Sequence, residues 1–326
     1  MDIIAAGKTD IGLVRKLNED CFGLREDRQL YVVCDGMGGH NAGEVASATA
    51  CQIVAGIYGD HFDRVLSEDR LRLPRMFSPA TDVLTKAVRI ANHWIFAKGA
   101  ADPSLSGMGT TIVAAAIEQD VITLLHVGDS RIYRYFDGEL IPLTTDHSWA
   151  AEVEKSEKLT SEQARQLVNR NVITRALGVK ESVEIDVAVR KVVENDIYIL
   201  CSDGLCGLVE DDSIRRTVSQ AGGDVEKIAS LLVQLANERG GVDNVTIVAL
   251  KITGSVTASQ LPELETVTVD TEPSEYFPLE EELAVLVEEE PPQSNGNGKK
   301  SNPLPLIATV IIVLVLVAIF YIIFKG

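Results

Sequence analysis

The sequence is poor in positive charge. Thirty Lys and Arg stand against 48 Asp and Glu, a net charge of −18, which argues against nucleic acid as the main partner. It also lacks a disulfide framework. Its five cysteines, Cys21, Cys34, Cys51, Cys201 and Cys206, are odd in number and mostly lie in or beside apolar runs, as expected of buried free thiols. Cys201 and Cys206 have no suitable partners nearby for zinc. The first seven residues, Met1 to Gly7, show no basic region followed by an apolar core, so no signal peptide is expected. No internal repeat is visible. Residues 254–298 contain no Lys or Arg at all.

That last stretch organises the rest. It holds eleven acids, and three lysines follow it, so the first 253 residues carry only −10 of the −18, a moderate value for a soluble domain. With 46% hydrophobic residues, they can build a sizeable core. Residues 254–302 combine acidity with Pro262, Pro273, Pro278, Pro291, Pro292 and a Ser294-to-Gly298 polar run, which predicts a flexible linker. Leu306 to Phe324 is a 19-residue run without a charge. As a helix it would span about 28 Å, close to the thickness of a bilayer's hydrocarbon core. Residues 303–326 are therefore expected to form a C-terminal transmembrane anchor. Lys299 and Lys300 precede it and only Lys325-Gly326 follows. The positive-inside rule then places residues 1–253 in the cytoplasm of a single-pass cell-membrane protein.

Short β-rich runs are predicted at 31–34, 111–117, 121–127, 131–136, 183–189, 196–201 and 245–251. Several are joined by hairpin-length turns such as Glu118-Gln119-Asp120 and Phe136-Asp137-Gly138-Glu139. Helices are predicted at 41–58, 79–98, 148–155, 161–168, 211–219 and 224–238. Sequential hairpins alternating with long helices indicate an α+β fold, mainly antiparallel sheet covered by helices.

The chemistry is concentrated where these runs end. Val32-Val33-Cys34-Asp35-Gly36-Met37-Gly38-Gly39-His40 closes an apolar strand with a carboxylate and a glycine-rich turn. Taken alone this is weak, because Asp-Gly is also a common turn dipeptide. The pattern recurs at Val127-Gly128-Asp129-Ser130-Arg131 and Cys201-Ser202-Asp203-Gly204. In Val242-Asp243-Asn244-Val245 and Asn18-Glu19-Asp20 the acid precedes an apolar run instead. Several carboxylates at strand ends are hard oxygen ligands suited to magnesium or manganese, and poorly suited to zinc.

These residues, in this order, resemble the metal-dependent Ser/Thr protein phosphatases of type 2C (PPM), in particular their bacterial branch. The resemblance covers roughly residues 5–252. It runs through Arg15-x-x-Asn18-Glu19-Asp20, Asp35 to His40, Gly107-Met108-Gly109-Thr110-Thr111, Val127 to Arg131, Asp146-His147-Ser148, Asn169 to Gly178, Ser202 to Leu205 and Asp243-Asn244-Val245-Thr246. It implies a four-layer α-β-β-α sandwich of two antiparallel sheets with helices outside. Carried over by position, Asp35 would bridge two Mn2+ or Mg2+ ions, with the Gly36 carbonyl as a further ligand. Asp203 and Asp243 would complete the first site, Glu19 and Asp20 would hold bound waters or the second ion, and Asp129 with Asp203 would form a third site. Arg15 would bind the substrate phosphate. His40 is the candidate general acid, or else a support for the loop and helix that follow it. His126 reads as a core residue and His147 as ordering the chain entering 148–180. Residues 144–180 resemble the flap of bacterial members, without the usual His-Pro. Arg170 and Arg175 there would touch phosphoprotein substrate or form salt bridges within the fold.

The implied activity is hydrolysis of phosphoserine and phosphothreonine on proteins by a metal-bridging water, opposing Ser/Thr kinases at the membrane, with a kinase itself among the expected partners. A catalytically inactive, phosphoprotein-binding or scaffold relative is the alternative. Its signature would be loss of metal aspartates, and none is lost here. A two-metal hydrolase of phosphodiesters is a third reading, disfavoured by the absence of a basic groove.

Overall fold

In the strand Leu30–Met37 (β3), consecutive side chains divide between two cores. Leu30, Val32 and Cys34 point to one side, and Tyr31 and Val33 to the other. This period of two with both faces apolar is that of a strand buried in the middle of a layered structure. The computed structural model describes residues 1–38, 42–67, 77–157, 172–259, 261 and 263–269, all within the first of the two units into which the chain divides, Met1–Glu289.

Asp2–Asp10 (β1) and Asp20–Arg25 (β2) precede β3. The helices Ala42–Asp60 (α1), Phe62–Leu66 (α2) and Pro79–Ala101 (α3) follow it. Next come Gly109–Thr110 (β4), Ile112–Glu118 (β5), Val121–Val127 (β6), Arg131–Phe136 (β7), Glu139–Pro142 (β8) and the helix Trp149–Glu157 (α4). Ile185–Lys191 (β9), Ile197–Cys201 (β10), Asp203–Cys206 (α5), Asp211–Ala221 (α6), Val225–Glu238 (α7), Val245–Thr253 (β11) and Leu264–Val269 (β12) complete the order.

One sheet runs β1-β11-β10-β7-β8, the other β12-β9-β6-β5-β3-β2 with β4 paired to β3. Every strand pairing is antiparallel. The sheets face each other through Tyr31, Val33, Ile122 and Leu124 from one and Ile132, Tyr198, Leu200 and Val248 from the other. The outer face of the larger sheet packs on α1 and α3 through residues such as Ile53, Ile57, Leu84 and Val88. That of the smaller sheet packs on α6 and α7 through Ile214, Val218, Ile228 and Leu232. The result is the expected four-layer α-β-β-α sandwich. Local signals fix the helix starts. Ser78 caps α3 by accepting from the Thr81 amide, with Pro79 as the first helical residue, and Asp224 caps α7 by accepting from the Lys227 amide.

Three differences from the sequence reading stand out. The strands β1 and β2 were not predicted. Their faces are only half buried, and Gly7, Lys8 and Gly23 interrupt the alternation. The flexible segment expected from residue 254 onward is corrected at its start, because Leu264–Val269 forms an edge strand on β9. Only Val267 and Val269 of that strand join the core. Its acids are used in pairing: Arg190 binds Glu265 and the Leu264 carbonyl, and Glu263 accepts from the Lys191 amide. Finally, the helix expected at 161–168 and the membrane span expected at 303–326 lie outside the described residues. Among the described residues no helix is long and apolar enough to cross a membrane.

Candidate metal centre

The acids that the sequence scattered over 225 positions meet at one end of the sandwich. Asp20 opens β2 and Asp35 lies near the end of β3, and the two are paired residues in the antiparallel ladder. Asp129 follows β6, Asp203 begins α5 directly after β10, and Asp243 stands two residues before β11. Asp35 and Asp203 approach closely enough to share a hydrogen bond, and the charges of Asp20, Asp203, Asp129 and Asp243 all act on Asp35. Asp35 thus stands among four other acids that recur at strand ends in the sequence.

The backbone around Asp35 is locked. Its amide donates to Thr111 Oγ1 at 3.1 Å, and its carbonyl accepts from the Thr111 amide and Thr110 Oγ1, each at 2.9 Å. With the main chain satisfied, the carboxylate is fixed in direction. Gly36 donates its amide to the Glu19 carbonyl at 3.0 Å. A Cβ at Gly36 would run into the Gly43 and Glu19 carbonyl oxygens, so only glycine lets β3, α1 and the Glu19 segment close on one another.

Sequence reasoning missed the residues that aim these carboxylates. Ser202 Oγ donates to Asp20 Oδ2 at 2.8 Å and accepts from the Thr246 amide at 2.9 Å, tying β10, β11 and β2 together. The Asn244 side-chain amide donates to the carbonyls of Ile11 and Leu17 at 3.0 and 2.9 Å, while its oxygen accepts from the Glu19 amide at 2.8 Å. Asp146 holds Arg131 in a two-point ion pair, both contacts at 2.7 Å. Each lay inside a quoted motif, but nothing in the spacing distinguished a positioning side chain from a ligand.

The electrostatics are those of an uncompensated acidic cluster. Burial, with lesser contributions from Asp203 and Asp243, pushes Asp20 up to about 7 despite the Ser202 and Thr246 hydroxyls that oppose it. Burial and then Asp203 and Asp146 push Asp129 up to about 7. Asp35 is driven well above the carboxylate range by burial and its acidic neighbours, and Glu19 and Asp203 are raised chiefly by burial. Glu19 Oε1, Asp20 Oδ1, Asp129 Oδ1 and Asp203 Oδ1 are buried without any hydrogen-bond partner. Buried carboxylate oxygens are normally satisfied. Four orphaned ones in one cluster fit hard divalent cations, which would supply both the missing contacts and the missing charge.

Arg15 borders the cluster. Its Nη2 donates to Asp243 Oδ2 at 2.6 Å, and its side chain is 49% exposed. The Asp243 bond, together with the charges of Asp243, Glu19 and Asp35, raises its pKa. His40 lies outside the described residues, as does Arg170. Arg175 forms salt bridges within the fold, to Glu184 at 2.7 Å and Asp186 at 3.3 Å. His126 is buried, stacked on His147 with ring centroids 4.4 Å apart, and pushed down to about 3 by burial. His147 does order the chain entering 148–180. Its amide donates to the Gly128 carbonyl at 2.7 Å, its Nδ1 accepts from the Gly128 amide at 3.1 Å, and Nε2 meets Asp186 at 3.2 Å.

The family described as Protein phosphatase 2C matches residues 14–234. The chain belongs to the protein phosphatase 2C family. It is 32% identical over 247 residues to the serine/threonine phosphatase stp of Listeria monocytogenes, covering 75% of this chain and 94% of that protein. Against the serine/threonine protein phosphatase PstP of Mycobacterium tuberculosis it is 36% identical over 250 residues, 76% of this chain but 44% of PstP. The crystal structure of PstP superposes with a TM-score of 0.68 at 35% identity, covering 78% of this chain and all of that one. A second structure, of the PstP catalytic domain in complex with two manganese ions, gives a TM-score of 0.64 at 35% identity, over 77% of this chain and 99% of that one. The chain is thus an enzyme of the protein phosphatase 2C type, and Glu19, Asp20, Asp35, Asp129 and Asp203 lie within the matched residues 14–234.

Proposed function

We propose that this phosphatase 2C enzyme hydrolyses phosphoserine and phosphothreonine on proteins using Mn2+ or Mg2+. The ions would be held by Asp35, Asp203 and Asp243 with the Gly36 carbonyl, by Glu19 and Asp20, and at a third position by Asp129 with Asp203. The observation that carries this reading is the set of four orphaned, buried carboxylate oxygens on Glu19, Asp20, Asp129 and Asp203. Divalent cations of this type supply charge neutralisation and acidify water for attack on phosphorus. The protein supplies direction. The Asp35 backbone bonds and the Ser202–Asp20 bond fix the carboxylates, and Arg15 offers a planar guanidinium matched to phosphate oxygens. The nearby acids Asp243, Glu19 and Asp35 favour the charged form of Arg15.

Membrane attachment through residues 303–326, a cytoplasmic catalytic unit and action against Ser/Thr kinases belong to the same reading. Their support is the uncharged 19-residue run at Leu306 to Phe324 and the lysines before it. The test is phosphate release from a phosphothreonine peptide by the full-length protein in detergent, with manganese and then with chelator. Metal-dependent release is expected. No release under either condition would sink the assignment.

A further inference from the structure

Twelve large hydrophobic side chains are exposed among the described residues, and five of them lie on two segments joined by the Leu13–Gly241 backbone bond. Ile11, Leu13, Val14 and Leu17 lie in the loop between β1 and β2 that carries Arg15, and Val242 stands beside Asp243, the partner of Arg15. Leu13 is 69% exposed, Val14 64%, Val242 50% and Leu17 45%. Scattered exposed hydrophobics are ordinary, but a group clustered around one charged residue is a mark of an interaction surface.

The loop presents these side chains because its backbone is fixed. The two N–H groups of the single Asn244 amide hold the carbonyls of Ile11 and Leu17, one at each end of the loop. The Leu13 amide donates to the Gly241 carbonyl at 2.7 Å, joining the loop to the segment that carries Val242. Gly12, with φ +79°, packs its α-carbon against the Asp243 carbonyl, where a Cβ would collide. The Asp10 carboxylate caps the turn by accepting from the Gly12 amide and from Asn237. A loop tied at five points that still exposes four apolar side chains is a rigid platform, already ordered for binding.

We propose that Leu13, Val14, Leu17 and Val242 form an apolar collar around Arg15 that binds apolar side chains flanking the phosphorylated residue of a protein substrate. The proposal rests on the phosphatase reading and adds a substrate class to it, namely phosphoprotein segments with leucine-like or valine-like neighbours beside the phosphothreonine or phosphoserine. Its position argues for this occupant. Val14 adjoins Arg15 in the chain and Val242 adjoins Asp243, which holds the Arg15 guanidinium at 2.6 Å, so a chain whose phosphate reaches Arg15 passes beside these side chains.

Two phosphothreonine peptides decide the matter, identical except that leucine and valine flank the phosphothreonine in one and serine and glycine in the other. Full-length wild-type protein with manganese should favour the apolar peptide about tenfold in kcat/KM, the scale of burying one aliphatic side chain. In the double variant Leu13→Ser with Val242→Ser the ratio should fall towards one, mainly through KM. Circular dichroism and the thermal midpoint check that this surface change leaves the fold intact. A wild-type ratio of one, or a ratio unchanged in the variant, overturns the proposal. Fluorescence anisotropy of the labelled peptides in chelator reads the same ratio without turnover. An inactive wild type would therefore defeat the phosphatase reading, while the binding ratio still judges the collar. A wild-type dimer that the variant abolishes, with the peptide ratio unmoved, would give the surface to a second copy of the chain and overturn the proposal.

Discussion

Asp20 and Asp35 are paired residues of the antiparallel β2–β3 ladder, and the next pair along it is Cys21 and Cys34. Two carboxylates are thus set side by side at a strand end with two thiols behind them. Side chains opposed in such a ladder are only about 5 Å apart at Cβ, where like charges destabilise the pair. The fold accepts this cost at the place where the chemistry needs converging negative charge.

Asp35→Asn tests that trade directly. It replaces a carboxyl that burial and its acidic neighbours make costly to ionise with a neutral group of the same shape, so the metal-free protein should become more stable, by about 2–4 °C in thermal midpoint for each kcal/mol relieved. Phosphatase activity should fall by about a hundredfold or more, because the residue acted on by four other acids can no longer balance cations. Calorimetry in chelator and peptide turnover with manganese check the two halves. A variant both less stable and fully active would contradict the placement of Asp35 at the centre.

Asn244→Ala should damage stability and function together. It deletes the donor that satisfies two loop carbonyls and the acceptor for the Glu19 amide. A lost hydrogen bond that leaves a buried partner unsatisfied costs about 1–3 kcal/mol. Urea unfolding should show a loss of that order, and peptide kcat/KM should drop because both Glu19 and the Arg15 loop lose their anchor. Asn244→Asp keeps the acceptor and loses the donor, so it should retain Glu19 positioning better than Asn244→Ala while freeing the loop.

The fold was legible where both faces of a strand are apolar, as in Val121–Val127 and Val245–Thr253, and in the helices expected at 79–98 and 224–238, found as Pro79–Ala101 and Val225–Glu238. It was illegible at the edges. In β12 two valines decide the burial, and the acids around them suggested solvent until Arg190 and Lys191 appeared as their partners. The candidate ligands could be named because carboxylates recur at several strand ends and, in that order, resemble the type 2C phosphatases, although one Asp-Gly alone reads as a turn. The groups that orient them, Ser202 and Asn244, could not, since a serine and an asparagine at a strand end are equally good turn residues. Only the cross-strand geometry shows which atoms they hold.

Deleting residues 303–326 should move the protein from the membrane to the soluble fraction of a lysate while leaving peptide turnover in place. The uncharged run is long enough to span a bilayer, and every described residue of the candidate metal centre lies before Thr253. Fractionation and immunoblotting of the full-length and truncated proteins give the answer. Continued sedimentation with membranes would show that something other than this segment holds the protein there.

The pH dependence of the metal-free protein has a sign set by burial. Asp20 and Asp129 are raised from the ordinary carboxylate range to about 7, chiefly by burial. Between the unfolded value near 4 and the folded value near 7, the folded state holds more protons than the unfolded one. Stability therefore falls as pH rises through this window, and the stabilisation by bound protons is fully present only below it. Unfolding midpoints in chelator should decline from about pH 5 to above pH 7, opposite to the trend of a protein whose carboxylates are salt-bridged. Divalent cations must displace those protons to bind. The increase in midpoint produced by a fixed excess of manganese should then be small near pH 5 and large near pH 8, with proton release on metal addition measurable by calorimetry in buffers of different ionisation enthalpy. A manganese effect independent of pH, or a metal-free midpoint rising through this range, would show that the cluster is already ionised and that its charge is balanced by some other means.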